Sequence, residues 1–325
     1  GGVAAVTDPS DSWDRHRDDT LEVGAGRCDR EVVERVVKEG PACIQELLAQ
    51  GACFDTGADG RLETAREGGH SAARVVHRGD RTGAELVRVL RAQVKDDPKI
   101  EVTETLMALD LLVTNGPQGR RCGGVRTIDI HTGVIREQFA DVTVLATGGA
   151  GQVYRHTTNP VVATGDGFAI AHRAGATLAD MEFVQFHHTA LDTPENPLQL
   201  ISEAVRGEGA RLVNDRGERF MIRKHAQAEL APRDVVARAI FREQRAGHRV
   251  FLDARKIGRA FARRFPGVDA ICKARGIDPR RDLIPVTPAA HYMMGGVATD
   301  LYGRSSLSSL FAVGELSRTG AHGAN

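Results

Sequence analysis

The chain has 325 residues and 41% hydrophobic content, enough to bury a large core and to make two domains. Its 43 Lys and Arg balance 43 Asp and Glu, which argues against a nucleic-acid or membrane-surface partner and leaves a small molecule as the ligand class. The 36 glycines and the low aromatic content suit an α/β protein whose backbone closely approaches a nucleotide or similar ligand.

Cys28, Cys43, Cys53, Cys122 and Cys272 form an odd set without a CxxC pair. Neither a disulfide framework nor a zinc site is expected, and a reduced cytoplasmic compartment fits best. No apolar run approaches the roughly 18 residues of a membrane span. The start at Gly1-Gly2 and the stop at Ala324-Asn325 are both expected to be cuts through a longer chain.

In chain order, Asp11 to Thr20 reads as a solvated polar segment. Asp29 should cap a helix with Val32, Val33, Val36 and Val37 on one face, ended by Gly40; Pro41 should start a second, with Ile44, Leu47 and Leu48 inward and Gly51 as its stop. That is a helical hairpin. Thr56 to Gly79 lacks periodicity and reads as a long loop. Inside it, in Arg66-Glu67-Gly68-Gly69-His70-Ser71, the paired glycines either bring backbone close to a ligand with Glu67 facing it or make a plain surface turn. Thr82 and Glu85 suggest a capping box for a helix with Leu86, Val89 and Leu90 inward.

From Ile100 to Thr147 the pattern is β, a small meander with Asn115 to Gly124 as a polar loop between strands. Val142 to Ala146 reads as a buried strand opening onto Thr147-Gly148-Gly149-Ala150-Gly151, the kind of edge at which doubly wound folds admit a nucleotide. Asp166 opens a helix closed at Gly175, where it either contacts a cofactor or compensates the helix dipole.

Phe183 to Thr189 reads as a strand, so His187 and His188 should face opposite sides, and no metal site is expected on them. Ser202-Glu203 and Arg206 follow, then Asp215 to Phe220 as the turn of a hairpin. In Glu229 to Ile240, Pro232 reads as the first helical position, ahead of an apolar stripe of Val235, Val236, Ala239 and Ile240. Arg233 then sits in the first turn, where the helix dipole disfavours a cation. It either pairs with a neighbouring carboxylate or awaits a ligand anion. Pro288 to Gly296, with His291, returns the chain toward a glycine turn, and Val313-Gly314-Glu315 follows.

The segments REGGHS (66–71), LATGG (145–149), GDG (165–167), RGEGA (206–210), APRDVVARAI (231–240), PAAHY (288–292) and TGAHGAN (319–325), in this order, resemble the L-aspartate oxidases, a branch of the succinate dehydrogenase and fumarate reductase flavoprotein family. The resemblance runs over essentially the whole chain. It implies an α/β fold in which a Rossmann-like FAD-binding domain, here 1–180 and 297–325, is interrupted by an inserted α+β capping domain, 181–296. It also implies non-covalent FAD, contacted by Gly1, Gly2, Gly148, Gly149, Asp166 and Glu315. By the same likeness Glu67 orients the substrate amine, His187, Ser202, Glu203 and His291 hold the substrate, and Arg233 is the catalytic proton-transfer residue.

The activity so implied is oxidation of L-aspartate to iminoaspartate with oxygen or fumarate as acceptor, the first step of de novo NAD biosynthesis, with possible transfer of product to quinolinate synthase. The alternative is a succinate dehydrogenase or fumarate reductase flavoprotein subunit. Glu67 favours the amino acid, since a carboxylate facing a substrate without an amine is left poorly paired. Two positions depart from the family pattern: His188 stands where proline is usual, and Ser202 where threonine is common. The family's dinucleotide fingerprint lies upstream of Gly1 and a substrate arginine follows Asn325, so the isolated fragment is expected to be inactive.

Overall fold

The computed structural model describes residues 1–116 and 119–325. Helix α1 (Trp13–Val23) begins where the Ser12 hydroxyl accepts from Arg15 N, and α2 (Arg30–Ala49) where the Asp29 carboxylate accepts from Glu31 N and Val32 N. The expected break at Gly40-Pro41 is absent: α2 is continuous through Pro41. Val33, Val37 and Ile44 are buried along it, and their burial at about 1.5–3 kcal/mol each outweighs a proline penalty of about 3 kcal/mol. The helical hairpin is instead α1 against α2. Nor is the Asp11 to Thr20 segment simply solvated, because Asp11 and His16 are buried.

Strands β1 (Val3–Ala4), β2 (Thr64–Ala65) and β3 (Val75–Val76) make an antiparallel sheet of order β1-β3-β2, so the expected loop from Thr56 to Gly79 carries two short strands, with Arg66 to Ser71 strung between them. Helix α3 (Thr82–Asp96) lacks the expected capping box. Thr82 Oγ1 donates to Gly1 O (2.8 Å), and Glu85 accepts from Cys53 N (2.7 Å); tertiary partners have outcompeted the local pair. Val89 points inward, whereas Leu90 lies half exposed.

The meander is β4 (Leu106–Gly116), β5 (Gly119–Asp129) and β6 (Ile135–Phe139), all antiparallel. Most of the expected Asn115 to Gly124 loop is strand, since pairing continues to Gly116↔Gly119; positions 117–118 lie outside the described residues. β7 (Thr143–Leu145) runs parallel to the late strand β14 (Leu310–Ala312). Only Leu145 of β7 is buried, against the expectation, because among the described residues β7 has a partner along one edge only, and Val142 and Val144 face outward. Helix α4 (Asp166–Arg173) follows, and Gly175 (φ +88°) takes the left-handed position past its end.

β8 (Leu178–Ala179) leads into β9 (Val184–Leu191), which joins β10 (Arg211–Asn214), β11 (Val250–Asp253) and β12 (Ile284–Met293) in an antiparallel sheet of order β10-β11-β12-β9. Asp215 to Phe220 is a turn, with Gly217 at φ +76°, but not the expected hairpin turn: it leads into a 3-10 turn over Phe220–Arg223, and β10 pairs with β11 across the intervening helix. Short helix α5 (Ala204–Gly207) lies ahead of β10, and α6 (Arg233–Arg245) occupies the connection from β10 to β11. β13 (Gly296–Ala298) pairs with β8 and with β15 (Ser317–Arg318).

Among the described residues three larger buried cores result, beside a small cluster of Ala190, Leu198 and Ala289. The largest draws only on positions 191–286 and packs Val236, Ala239 and Ile240 of α6 against Leu212, Leu252 and Ile284 of the four-stranded sheet. A second combines Leu111, Leu145, Phe168 and Ile170 with Met293, Val297, Leu310 and Leu316, so the chain leaves it before the first core and rejoins it afterwards. The third joins Ala5, Ile44, Phe54, Val76 and Val89 under the small sheet. Among the described residues no helix is long and apolar enough to cross a membrane.

Candidate active site

Pro232 (φ −51°) is the residue before α6, and Arg233 is its first helical residue, one position earlier than expected. Arg233 meets a carboxylate directly: its Nε donates to Glu203 Oε2 (2.7 Å), and its Nη1 donates to Gln185 Oε1 (2.6 Å). Glu203 is 3% exposed and fully engaged, since its Oε1 also accepts from Arg206 Nη2 (2.7 Å) and from Gly68 N (3.0 Å). Burial alone would raise the Glu203 pKa; the Arg233 and Arg206 guanidiniums outweigh it and hold it down at about 2.

Glu67 is the contrasting carboxylate. Arg233 Nη2 lies 3.7 Å away, beyond hydrogen-bond reach, and burial together with the charge of Glu203 pushes its pKa up. Glu67 and Arg233 share a cavity of ≈ 190 Å³ with Gln185, His70, Asp19 and Asn325. Glu67 also borders a cleft of ≈ 490 Å³, together with Ser202 and Gly1, so it stands at the junction of two spaces.

His187 is buried on β9, and its Nδ1 accepts from Thr189 N (3.2 Å). A neutral imidazole that accepts at Nδ1 carries its proton on Nε2, which is then a donor. Burial and the neighbouring cations keep the pKa of His187 well below the ordinary value. His291 stands 5.1 Å from it, ring to ring, with Nδ1 at 2.7 Å from Thr158 Oγ1; burial and then Arg233 lower its pKa to about 4.

His187 and His188 do not face opposite sides. Their rings stack at 4.5 Å and 19°. The pairing shifts here: His187 and Ala190 on β9 oppose Ala289 and Thr287 on β12, three steps against two. The extra residue is a β-bulge, which re-aims the side chains around it. Adjacency therefore does not keep a metal away, and ligand atoms of His187, His188 and Glu203 lie within 4.8 Å of one another. Charge does argue against a cation, because two guanidiniums occupy Glu203 and would repel one. Among the described residues neither ring nitrogen of His188 has a hydrogen-bond partner.

The expected cofactor residues fall into two groups. Gly148 (φ +75°) and Gly149 follow β7, and a Cβ on Gly149 would lie 2.3 Å from Glu315 Oε1, an atom that accepts from Met293 N (2.8 Å). Asp166 is exposed at the start of α4, beside Thr164. Gly1 and Gly2 instead lead into β1 of the small sheet, where Gly1 N is 3.4 Å from Ser202 Oγ and a Cβ on Gly2 would strike Val76 O at 2.3 Å. Side-chain-free backbone beside carboxylates that can accept from sugar hydroxyls fits a flavin nucleotide.

Gln185 and Arg206 were not expected at the site. Gln185 was readable, since it lies two residues before His187 on a strand and so shares its face. Arg206 was readable too, three residues after Glu203 on one helical turn. Asp19 carried no such signal.

Over residues 1–325 the chain matches the family model described as FAD binding domain. It belongs to that family of flavin-binding proteins. In sequence it is 50% identical to an L-aspartate oxidase of Mesorhizobium japonicum and 48% identical to the chloroplastic L-aspartate oxidase of Arabidopsis thaliana, covering all of this chain and 62% and 52% of those proteins. In structure it is similar to a variant of E. coli quinol fumarate reductase (TM-score 0.93, 35% identity, all of this chain and 58% of that one) and to Mycobacterium smegmatis Sdh1 (0.81, 34%, all and 57%). The fold is that of these flavoproteins. The chain spans between about half and three fifths of the length of the curated relatives named here.

Proposed function

We propose that the intact protein is an FAD-dependent L-aspartate oxidase, converting L-aspartate to iminoaspartate with oxygen or fumarate as electron acceptor. The observation that carries this reading is Glu67, a carboxylate left, among the described residues, without a hydrogen-bonded partner beside an arginine that can hold an acid group. Such a pair suits a substrate bearing both an ammonium and carboxylates. The similarity to L-aspartate oxidases along the whole chain supports it. In the domain division we propose, an FAD-binding part (1–180 and 297–325) surrounds a capping part (181–296); the largest core, confined to 191–286, supports it.

Bound FAD supplies the two-electron acceptor; Gly148, Gly149, Glu315 and Asp166 on one side and Gly1 and Gly2 on the other would hold it. The protein's own part is placement and charge. Glu67 takes the substrate ammonium, and its raised pKa lets it share that group's proton. His187 offers Nε2–H to a carboxylate oxygen with His291 beside it, and Ser202, on the neighbouring cleft that Glu67 also borders, completes the hold. A guanidinium stays protonated, so Arg233 neutralises a carboxylate and does not act as a base. Glu203 with Arg206 fixes the direction in which Arg233 points. The five cysteines, all free, support a reduced cytoplasmic setting, and transfer of the reactive product to quinolinate synthase is the partner step we propose.

The test is peroxide release by the full-length, FAD-loaded protein offered L-aspartate and then succinate under air. Peroxide with aspartate alone is expected. Succinate oxidation with a dye acceptor and no peroxide from aspartate would overturn the reading in favour of a respiratory flavoprotein.

A further inference from the structure

Glu67 sits on a turn without regular structure, closed by His70 N to Glu67 O (3.3 Å), with Gly69 at φ +81°. Besides Arg66 Nε to His70 O (2.7 Å) and Arg15 Nη2 to Ser71 O (3.2 Å), two carboxylate anchors hold it. On one side Gly68 N donates to Glu203, the carboxylate that also holds Arg233. On the other, Asp19 Oδ2 of α1 accepts from Ser71 N and from Ser71 Oγ, both at 2.8 Å. Arg74, wholly buried, locks this second anchor: its Nη1 reaches Asp19 Oδ2 at 2.5 Å, while Nε and Nη2 grip Asp11 at 2.7 and 3.0 Å. Burial would raise the Asp19 pKa, but Ser71 and Arg74 keep it below the ordinary carboxylate value, so the anchor is ionised at neutral pH.

The two anchors differ in what they touch. Loss of Glu203 disturbs Arg233 and the whole site, whereas Asp19, although it borders the same cavity, is hydrogen-bonded to Ser71 of the turn and to Arg74 and not to Glu67 or Arg233. Among the described residues the Glu67 carboxylate has no hydrogen bond of its own to fix it. We propose that Asp19 is a positioning residue for substrate choice: by clamping Ser71 it sets where the Glu67 carboxylate stands and therefore how well the site takes a dicarboxylate that carries an amine over one that does not. This rests on the function proposed above and adds to it a source of selectivity outside the pocket's own ligand-binding side chains.

The experiment uses the full-length, FAD-loaded enzyme and measures KM and kcat for L-aspartate oxidation and, separately, for fumarate reduction by a reduced dye. Asp19→Ala should raise the KM for L-aspartate about tenfold, the worth of charge-assisted hydrogen bonds, and shift that for fumarate less than about twofold. In a Glu67→Gln background the same change should have no further effect on aspartate, because the two act through one carboxylate. Equal losses on both substrates, no change on either, or fully additive effects of Asp19→Ala and Glu67→Gln would overturn the inference; additivity would mean that Asp19 meets the amine itself. If Asp19→Ala does not fold, Ser71→Ala decides by the same outcomes, since it removes only the Ser71 Oγ contacts with Asp19 (2.8 Å) and Arg74 Nη2 (3.4 Å) and leaves the Asp19–Arg74 pair. A wild-type enzyme that reduces fumarate but oxidises no aspartate would end the proposed function and this inference together, and the wild-type measurement alone shows it.

Discussion

Two carboxylates in one site, Glu203 and Glu67, are treated in opposite ways by the fold. Glu203 sits deep beside α5 with two guanidiniums and a backbone amide on its oxygens, and its pKa is pulled to about 2. Glu67 sits on a glycine turn with no hydrogen-bonded partner, and its pKa is pushed up. The first has been satisfied by the protein; the second, on the function proposed above, is left for a ligand. A residue of the first kind contributes to stability; one of the second kind costs stability and serves binding.

The largest expected effect comes from the satisfied member. Glu203→Ala leaves Arg206 and Arg233 without their counter-charge in a buried place, a loss of about 3–5 kcal/mol. Thermal melts of the FAD-loaded protein should show it as a fall of many degrees, with activity lost as well. A melt unchanged from wild type would mean that the network is not holding the site together.

The next effect tests the seam between the two regions. A Cβ on Gly68 would lie 2.3 Å from Glu203 Oε1 and 3.4 Å from Ala231 O. The Glu203 carboxylate is pinned and cannot swing away cheaply, so Gly68→Ala should cost about 1–3 kcal/mol by overpacking and should displace Glu67 with it. Both the melting temperature and the catalytic efficiency on L-aspartate should drop. A fall in one alone would show that the two carboxylates are less coupled than the geometry indicates.

The contrast was only partly legible in the chain. Arg233 stood out because a proline-led helix with a clear apolar stripe placed a cation where the dipole disfavours it, and both rules are local. Glu67 was flagged by its glycines. The stack of His187 on His188 was not legible, because a bulge depends on the register of a partner strand about a hundred residues away, Ala289 against His187. Pro41 misled for a related reason: the local penalty was real, but burial of Val33, Val37 and Ile44 decided the outcome. Asp19 looked like one more surface charge, and only the approach of Arg74 and Ser71 gives it a task.

The smallest expected effect is also the one that separates the two carboxylates by sign. Glu203, with its folded pKa depressed, contributes stability that is present above the unfolded value of 4.5 and is lost as pH falls toward about 2. Glu67, with its folded pKa raised, does the reverse: the folded state holds its proton more tightly than the unfolded chain, so stability is lost as pH rises above 4.5. Glu67→Gln removes that loss. The variant should therefore melt slightly above wild type at pH 7 and level with it at pH 4, while its KM for L-aspartate rises about tenfold. Buried histidines such as His16 and His291, whose pKa values sit near 4, lower the stability of both proteins alike below pH 6.5, and comparison at each pH cancels them. A Glu67→Gln protein that melts below wild type at pH 7 would mean that Glu67 is already paired in the resting enzyme, and the reading of it as a carboxylate kept for an incoming ammonium would have to be given up.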